Sequence, residues 1–309
     1  MAVEHASARA VPKPWGVADL HPWSNVSNDD ALIGEIWYGR SDRAAPDSSL
    51  LLKLLFTSKP LSLQVHPDDA FAQTMGLPRG KSEAWCVLSA APDAKVALGL
   101  KKVLTPQQLR KAVEDGSIAN LVVWRAVSPG DVVFVPAGTI HAVGAGLIIA
   151  EIQQRSDATF RLFDYGRPRA LHIDNAMAVA ISGAADFQVP PKTLSGERTL
   201  LTSNPHFTLE KIKLPLNSTW RLEADCETWV LVIGGGAHVK MLDLVTGDAM
   251  FAQLDHIDLR AGDTGLLALV ARTDAEPLPN LLTRLNEPDV TPLPFAKTLP
   301  AMGRLETTK

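Results

Sequence analysis

Apolar residues along this chain come in short runs, broken every few positions by Gly, Pro, Asp or Ser. LSLQV (61–65), SEAWCVL (82–88), KVALGL (95–100), LVVWRAV (121–127), DVVFVP (131–136) and LIIAEIQ (147–153) each read as a strand. Their separators, such as SAAPDA, SPG and AGTIHAVGAG, have the glycine and proline of tight connections, which predicts antiparallel pairing instead of β–α–β units. SLLLKLLFT (49–57) is so evenly apolar that periodicity leaves strand and short helix both open. The clearest helix is TPQQLRKAVEDG (105–116), where Thr105 caps, Pro106 suits the first turn, Gln108 completes a capping box and Gly116 stops the element. DDAFAQTMG (68–76) and LHIDNAMAVAISG (171–183) predict shorter helices, the first capped by its aspartates. Residues 1–30, rich in Pro, Trp, Ser and Asn, read as irregular.

The strand pattern restarts near residue 206 with HFTLEKIKL, STWRLEA, TWVLVIGG, AHVKML and DHIDLRAGDTGLLAL. SEAWCVL resembles CETWVLVI, and PGDVVFVPAG resembles AGDTGLLALVA, an echo that predicts two similar β sandwiches in tandem. The expected division is residues 1–185, holding the chemistry and the helical insertion at 105–116, and residues 186–309, a degenerate copy without a metal site.

Composition narrows the function. Thirty Lys and Arg against 34 Asp and Glu give a net charge of -4, which offers no nucleic-acid surface but leaves room for an anionic small substrate. At 46% hydrophobic residues, 309 residues suffice for two packed units. Cys86 and Cys226 lie in no CxxC and read as free thiols of a reducing compartment. The N-terminal stretch, with Glu4 and His5 and no apolar h-region, does not read as a signal peptide, and runs such as WVLVIGGG are too short to span a bilayer. The expectation is a cytoplasmic protein with no membrane and no nucleic-acid partner. No GxGxxG, GxxxxGK[ST] or GxSxG occurs.

The polar residues inside the apolar runs carry the candidate chemistry. Gln64 and His66 share one face of a strand, because side chains alternate with a period of two. Lys81 and Glu83 are spaced in the same way, and His141 follows the turn VPAGTI. Two imidazoles, a carboxylate and an amide oxygen form an N/O ligand set suited to zinc, or with a water to iron, manganese or cobalt. Taken singly, His66 reads first as a hydrogen-bonded core or edge histidine and only second as a ligand.

Longer motifs change that balance. QVHPDD, GKSEAW, GDVVFVPAGTIHAVG and EIQQRSDATFRLFDYGR, with KPWG and IGEIW before them, closely resemble signature segments of the type I mannose-6-phosphate isomerases, from about residue 10 to about residue 175. The resemblance implies a cupin fold, all-β with a few helices, built as two jelly-roll sandwiches of which the second is degenerate. It also implies a zinc enzyme that interconverts mannose 6-phosphate and fructose 6-phosphate, with one Zn2+ per chain and other divalent metals acceptable. Its zinc ligands fall on Gln64, His66, Glu83 and His141, and its catalytic residues on Lys81, Glu151, Asp157 and Arg161. Trp15 matches a pocket-lining tryptophan. The chain lacks room for the large helical insertion of longer members and looks like the compact bacterial form, so phosphate-binding residues do not transfer.

Aldose–ketose conversion moves a proton between C1 and C2 through a cis-enediolate, so the site needs a base and stabilisation of the developing charge. Glu151 sits in an apolar strand and needs a partner there. Asp157 sits in the loop QRSDAT and reads as base or as a turn cap. The choice of base between them stays open. Arg161 grips oxyanions or phosphate, or pairs with Asp157 or Asp164. His21, His172, His206, His238 and His256 have no partner at metal spacing, and Trp37, Trp85, Trp124, Trp220 and Trp229 read as core. Competing readings are a cupin isomerase for another sugar, a cupin of another enzyme class such as an iron dioxygenase, and a sugar-binding cupin without catalysis. Monomer and homodimer are both open.

Overall fold

The computed structural model describes residues 2–24, 26, 31–185 and 188–285. Its first half contains β1 (Ala2–His5), β2 (Ser7–Val17), β3 (Ile33–Gly39), β4 (Leu50–Thr57), β5 (Leu63–Val65), α1 (Asp69–Thr74), β6 (Glu83–Ala90), β7 (Lys95–Leu100), α2 (Pro106–Glu114), α3 (Ile118–Leu121), β8 (Val122–Ala126), β9 (Val132–Val135), β10 (His141–Val143), β11 (Leu147–Gln154), β12 (Phe160–Phe163) and α4 (Ile173–Val179). The second half adds β13 (Lys192–Thr193), β14 (Arg198–Asn204), β15 (Phe207–Leu214), β16 (Thr219–Ala224), β17 (Thr228–Val239), β18 (Leu242–Val245), β19 (Ala249–Gln253), β20 (Asp255–Arg272) and β21 (Leu282–Arg284). All the strand pairs are antiparallel, as the short glycine-bearing connections imply.

A six-stranded sheet, β2-β3-β4-β11-β6-β9, faces a five-stranded sheet, β12-β5-β10-β7-β8. Trp85, Val87, Leu98, Val143 and Ile149 fill the space between them. The outer face of the five-stranded sheet is covered by the helices, through Leu109, Val113, Ile118 and Ala176. The other face of the six-stranded sheet packs Ile36, Leu54 and Phe56 against Phe207, Trp229 and Phe251 of the second half. Both faces of that sheet are therefore covered, which makes β4 a strand with all its residues buried and removes the amphipathic signal that would have told strand from helix. The ten-stranded sheet of the second half folds over its own core, with the long β20 pairing β17 and β15 along one stretch and β16 along another.

α2 starts as expected, with Thr105 and Gln108 in a reciprocal capping box, and Asp68 caps α1 through the Phe71 N–H. Residues 1–30 differ from the expectation of irregular chain. β1 pairs with β19 of the second half, and β2 forms an edge of the six-stranded sheet. Pro12 and Pro14 are tolerated there because an edge strand has one unpaired side and the register breaks around Pro12. His141, expected just after the turn VPAGTI, begins the short strand β10 between β5 and β7. AHVKML, expected as its own strand, is divided between the end of β17 and the start of β18.

One turn and its neighbouring strand have counterparts in the two halves, with the tryptophan strands one residue out of the register read from the sequence and the GD turn matched at Gly247 and Asp248 instead of Gly262 and Asp263. The turns Ser128–Asp131 and Val245–Asp248 match each other. In each, the aspartate side chain accepts the first residue's N–H, at 2.8 and 2.9 Å, and the glycine has φ of 94° and 93°. The Asp131 and Asp248 carbonyl oxygens accept from the Val87 and Val232 N–H groups. This equates Glu83 with Thr228 and Trp85 with Val230, and equates PGDVV with TGDAM instead of AGDTG. A one-residue slip exchanges strand faces. Trp85 thus points into its own sandwich, whereas Trp229 points into the contact between the halves. Across the ladder, Arg272, only 1% exposed, pairs with Thr228 as Gln153 pairs with Glu83, so a fixed cation stands in the second half. Glu227 ties the halves by accepting the Ser49 and Leu50 N–H groups and the Trp229 indole N–H.

The matched turns yield a paired prediction. A Cβ on Gly130 meets nothing within 4 Å, whereas a Cβ on Gly247 lies 2.0 Å from the Trp23 carbonyl oxygen. Gly130→Ala should cost only backbone strain of about 1–2 kcal/mol. Gly247→Ala should cost distinctly more in urea unfolding. Equal losses would contradict the packing of Trp23 on this turn.

Candidate metal centre and active site

The two facing sheets bring the sequence-predicted ligands together. His141 on β10 is the direct partner of Gln64 on β5, and Arg161 on β12 is Gln64's partner on the other side. His66 follows the end of β5, and Glu83 begins β6 in the opposite sheet. His66, Glu83 and His141 are each 1% exposed. One ligand atom from each lies within 4.8 Å of the others, and this is the metal-capable group of His, Cys, Asp or Glu found among the described residues.

Hydrogen bonding decides what the imidazoles offer. His66 Nδ1 lies 2.8 Å from the Ala158 carbonyl oxygen, and His141 Nδ1 lies 2.8 Å from that of Thr139. A carbonyl oxygen only accepts, so each ring must carry its proton on Nδ1 and present a lone pair at Nε2. Those lone pairs face the Glu83 carboxylate at 3.4 Å and 3.3 Å. Neither Glu83 oxygen accepts a well-aligned hydrogen bond, and its close cation is the Lys81 ammonium at 3.1 Å. Two nitrogen lone pairs and a carboxylate converging in a buried site fit a divalent cation in size and in chemistry. Gln64 Nε2 lies 3.3 Å from His141 Nε2, and Ser62 Oγ lies 3.1 Å from Gln64 Oε1. A half-turn of this amide exchanges the two atoms and aims the oxygen at the site.

Lys81 closes the cluster, with Nζ 3.1 Å from Glu83 Oε2 and 3.1 Å from His66 Nε2. Burial and the Lys81 charge push His66 down to about 3, against the pull of Glu83. Burial likewise lowers His141. Both rings are therefore neutral, the form that binds metal. Burial opposes the Glu83 charge, yet the Lys81 ammonium beside it holds the carboxyl well below its usual range. Burial also opposes the Lys81 charge, but Glu83 and Glu151 outweigh it and raise the ammonium's pKa.

A cavity of about 310 Å³ opens next to this cluster. Gln64, Lys81, Glu151, Asp157 and Arg161 all line it, together with Trp15. Glu151 is paired with Lys53 at 3.3 Å and accepts from the Trp85 indole N–H at 3.2 Å. Burial and the Glu83 charge nevertheless raise its pKa, against Lys53 and Lys81. Arg161 is not tied up by Asp164, which instead holds Arg167 and Arg169. Its Nε and the Trp15 indole nitrogen are buried donors without a partner.

Sequence reasoning missed several wall residues. Lys13, Glu35, Trp37, Lys53, Arg169 and His172 also line the cavity. Lys13 pairs with Glu35 at 3.3 Å, Trp37 donates its indole N–H to Glu35, and Lys53 lies over the Trp37 ring. Trp37 is thus a cavity residue instead of a core one, because the six-stranded sheet ends its apolar packing where the cavity opens. His172 accepts the Arg161 N–H at 3.2 Å. Its placement depends on the turn after β12, which strand alternation does not describe. The one available signal was the lysine inside LLLKLLFT, a charge that a doubly covered strand cannot hold unpaired.

Fold and site together define a cupin-fold protein with a buried His–Glu–His cluster beside a polar cavity. No protein-family model matches the chain. Its relatives are mannose-6-phosphate isomerases: the enzyme of that name from Streptococcus mutans serotype c is 39% identical over 170 residues, 52% of this chain and 54% of that protein. In such alignments the chain spans about half the length of the curated relatives it matches. The crystal structure of mannose 6-phosphate isomerase from Bacillus subtilis shares the fold with a TM-score of 0.77 and 23% identity, over 88% of this chain and 99% of that one. A holo, zinc-bound mannose 6-phosphate isomerase superposes with a TM-score of 0.70 at 14% identity, over 89% of this chain and 100% of that one. No helix among the described residues is long and apolar enough to cross a membrane.

His141→Ala and Glu83→Gln should each abolish stoichiometric metal binding, read by metal analysis after dialysis against zinc. His172→Ala, in the same cavity but outside the cluster, should retain it. Retention by all three variants would separate the cluster from metal binding.

Proposed function

We propose that the chain is a zinc-dependent aldose–ketose isomerase that interconverts D-mannose 6-phosphate and D-fructose 6-phosphate through a cis-enediolate. The observation that carries this reading is the pair of Nε2 lone pairs held against the buried Glu83 carboxylate beside a cavity of sugar-phosphate size. The likeness to mannose-6-phosphate isomerases supports the substrate class. Gln64, His66, Glu83 and His141 would hold one Zn2+. Bound there, the metal would polarise or orient the oxygens of the sugar. Lys81 holds an ammonium beside the reacting oxygens and donates to them. Glu151, with its raised pKa, or Asp157 moves the proton between C1 and C2. Arg161, with Arg169 and His172 beside it, supplies donors for the phosphate. We assign the chemistry to residues 1–185 and a supporting role to residues 186–309. Two unpaired cysteines suit the reducing cytoplasm.

Purified protein should contain about one zinc per chain. It should isomerise mannose 6-phosphate in preference to glucose 6-phosphate or free mannose, lose activity to a chelator and regain it with zinc. Metal without isomerisation would overturn the assigned reaction in favour of another cupin chemistry. Lys53→Met separates the two candidate bases. Lys53 lowers the pKa of Glu151, so its removal raises that pKa further. With Glu151 as base, the acid limb of kcat/KM should move to higher pH, alongside a stability loss of roughly 3–5 kcal/mol from the broken buried pair. An unmoved limb would assign the base to Asp157.

A further inference from the structure

Lys81 stands on a stretch, residues 79–82, that belongs to no strand or helix. Its backbone is nonetheless held at three successive amides. The Gly80 N–H donates to Asp69 Oδ1 at 2.7 Å, the Lys81 N–H to the Pro67 carbonyl at 2.9 Å, and the Ser82 N–H to Gln154 Oε1 at 2.9 Å. Gln154 Nε2 donates to the same Asp69 oxygen at 2.8 Å, and the Gln154 backbone N–H donates to the Ser82 carbonyl at 3.1 Å. Gln154 is 4% exposed, and both ends of its amide are used. The fit is tight, since a Cβ on Gly80 would lie 2.4 Å from the Asp68 carbonyl carbon.

We propose that Gln154 and Asp69 are positioning residues, a side-chain clamp that fixes the loop carrying Lys81 and so sets the distance from its ammonium to Glu83 and the substrate. A loop without a ladder has no register of its own, so its geometry comes from such side-chain bonds. Gln154 ends β11, the strand that also carries Glu151. One strand therefore places the candidate base and, through Gln154, the lysine opposite it. This inference rests on the proposed isomerase reading for its kinetic consequence and on hydrogen bonding alone for its structural one.

The test uses the zinc-loaded full chain with Gln154→Met, which keeps volume and removes both bonds, Asp69→Ala, and Asp69→Asn, which keeps the accepting oxygen. For Gln154→Met and Asp69→Ala, kcat should fall on the order of 10- to 100-fold, as for a misplacement of about an ångström, with KM and zinc content unchanged. Asp69→Asn should recover most of the loss. Amide hydrogen exchange should accelerate at residues 79–82 in the first two variants and not across the rest of the metal cluster. Unchanged kcat in Gln154→Met, a loss confined to KM, or wild-type exchange at 79–82 would each overturn the clamp. An inactive parent protein would instead refute the isomerase reading, and the exchange measurement would still decide the clamp.

Discussion

Two backbone carbonyls determine what the site is. By accepting the Nδ1 protons of His66 and His141, Ala158 and Thr139 turn both Nε2 lone pairs toward the Glu83 carboxylate. With the protons on the other nitrogens, the same residues would form a self-satisfied hydrogen-bonded cluster with no call for a cation. As built, three electron-rich groups converge in a buried space, and among the described residues Lys81 is the positive group that touches them. Lys81 balances the Glu83 charge, and the carboxylate with the two Nε2 lone pairs beside it forms a donor set suited to a metal.

The six-stranded sheet makes such a site affordable. Covered on one face by the second half and on the other by the five-stranded sheet, it excludes water from most of its length. Polar residues on its covered strands are therefore forced into pairs, as Lys53 with Glu151 and Trp85 with Glu151. The pairs leave charge at the cavity wall while keeping it balanced within the sheet. The second half uses corresponding positions differently: Thr228 and Arg272 stand where Glu83 and Gln153 stand in the first, and a guanidinium needs no metal.

The electron-rich and donor-rich parts of the site lie apart. Beside the cavity stand the Glu83 carboxylate and the two Nε2 lone pairs, and in its wall the Trp15 indole N–H and Arg161 Nε lack hydrogen-bond partners. A ligand that answers both has to bring a cation near the first and oxygen acceptors near the second. The metal and sugar phosphate proposed above would answer both.

Much of this was legible in the residues. Antiparallel strands, the α2 capping box and the shared face of Gln64 with His66 follow from local periodicity, because alternation in a strand is a property of the backbone itself, whereas Lys81 lies before β6 and reaches Glu83 from a loop. The motifs added Glu151, Asp157 and Arg161, all of which line the cavity. What escaped depended on contacts distant in sequence. Prolines in β2 read as breaks until its edge position was known, and the echo between the halves slipped by one residue because sequence likeness cannot see which face a tryptophan takes. Lys13, Lys53, Arg169 and His172 joined the site only through pairing across sheets and the turn after β12. The sequence by itself determined which residue types and which strand faces were available for chemistry. Tertiary structure decided the tautomers, the ion pairs and the loop geometry, because each depends on an acceptor supplied by another element.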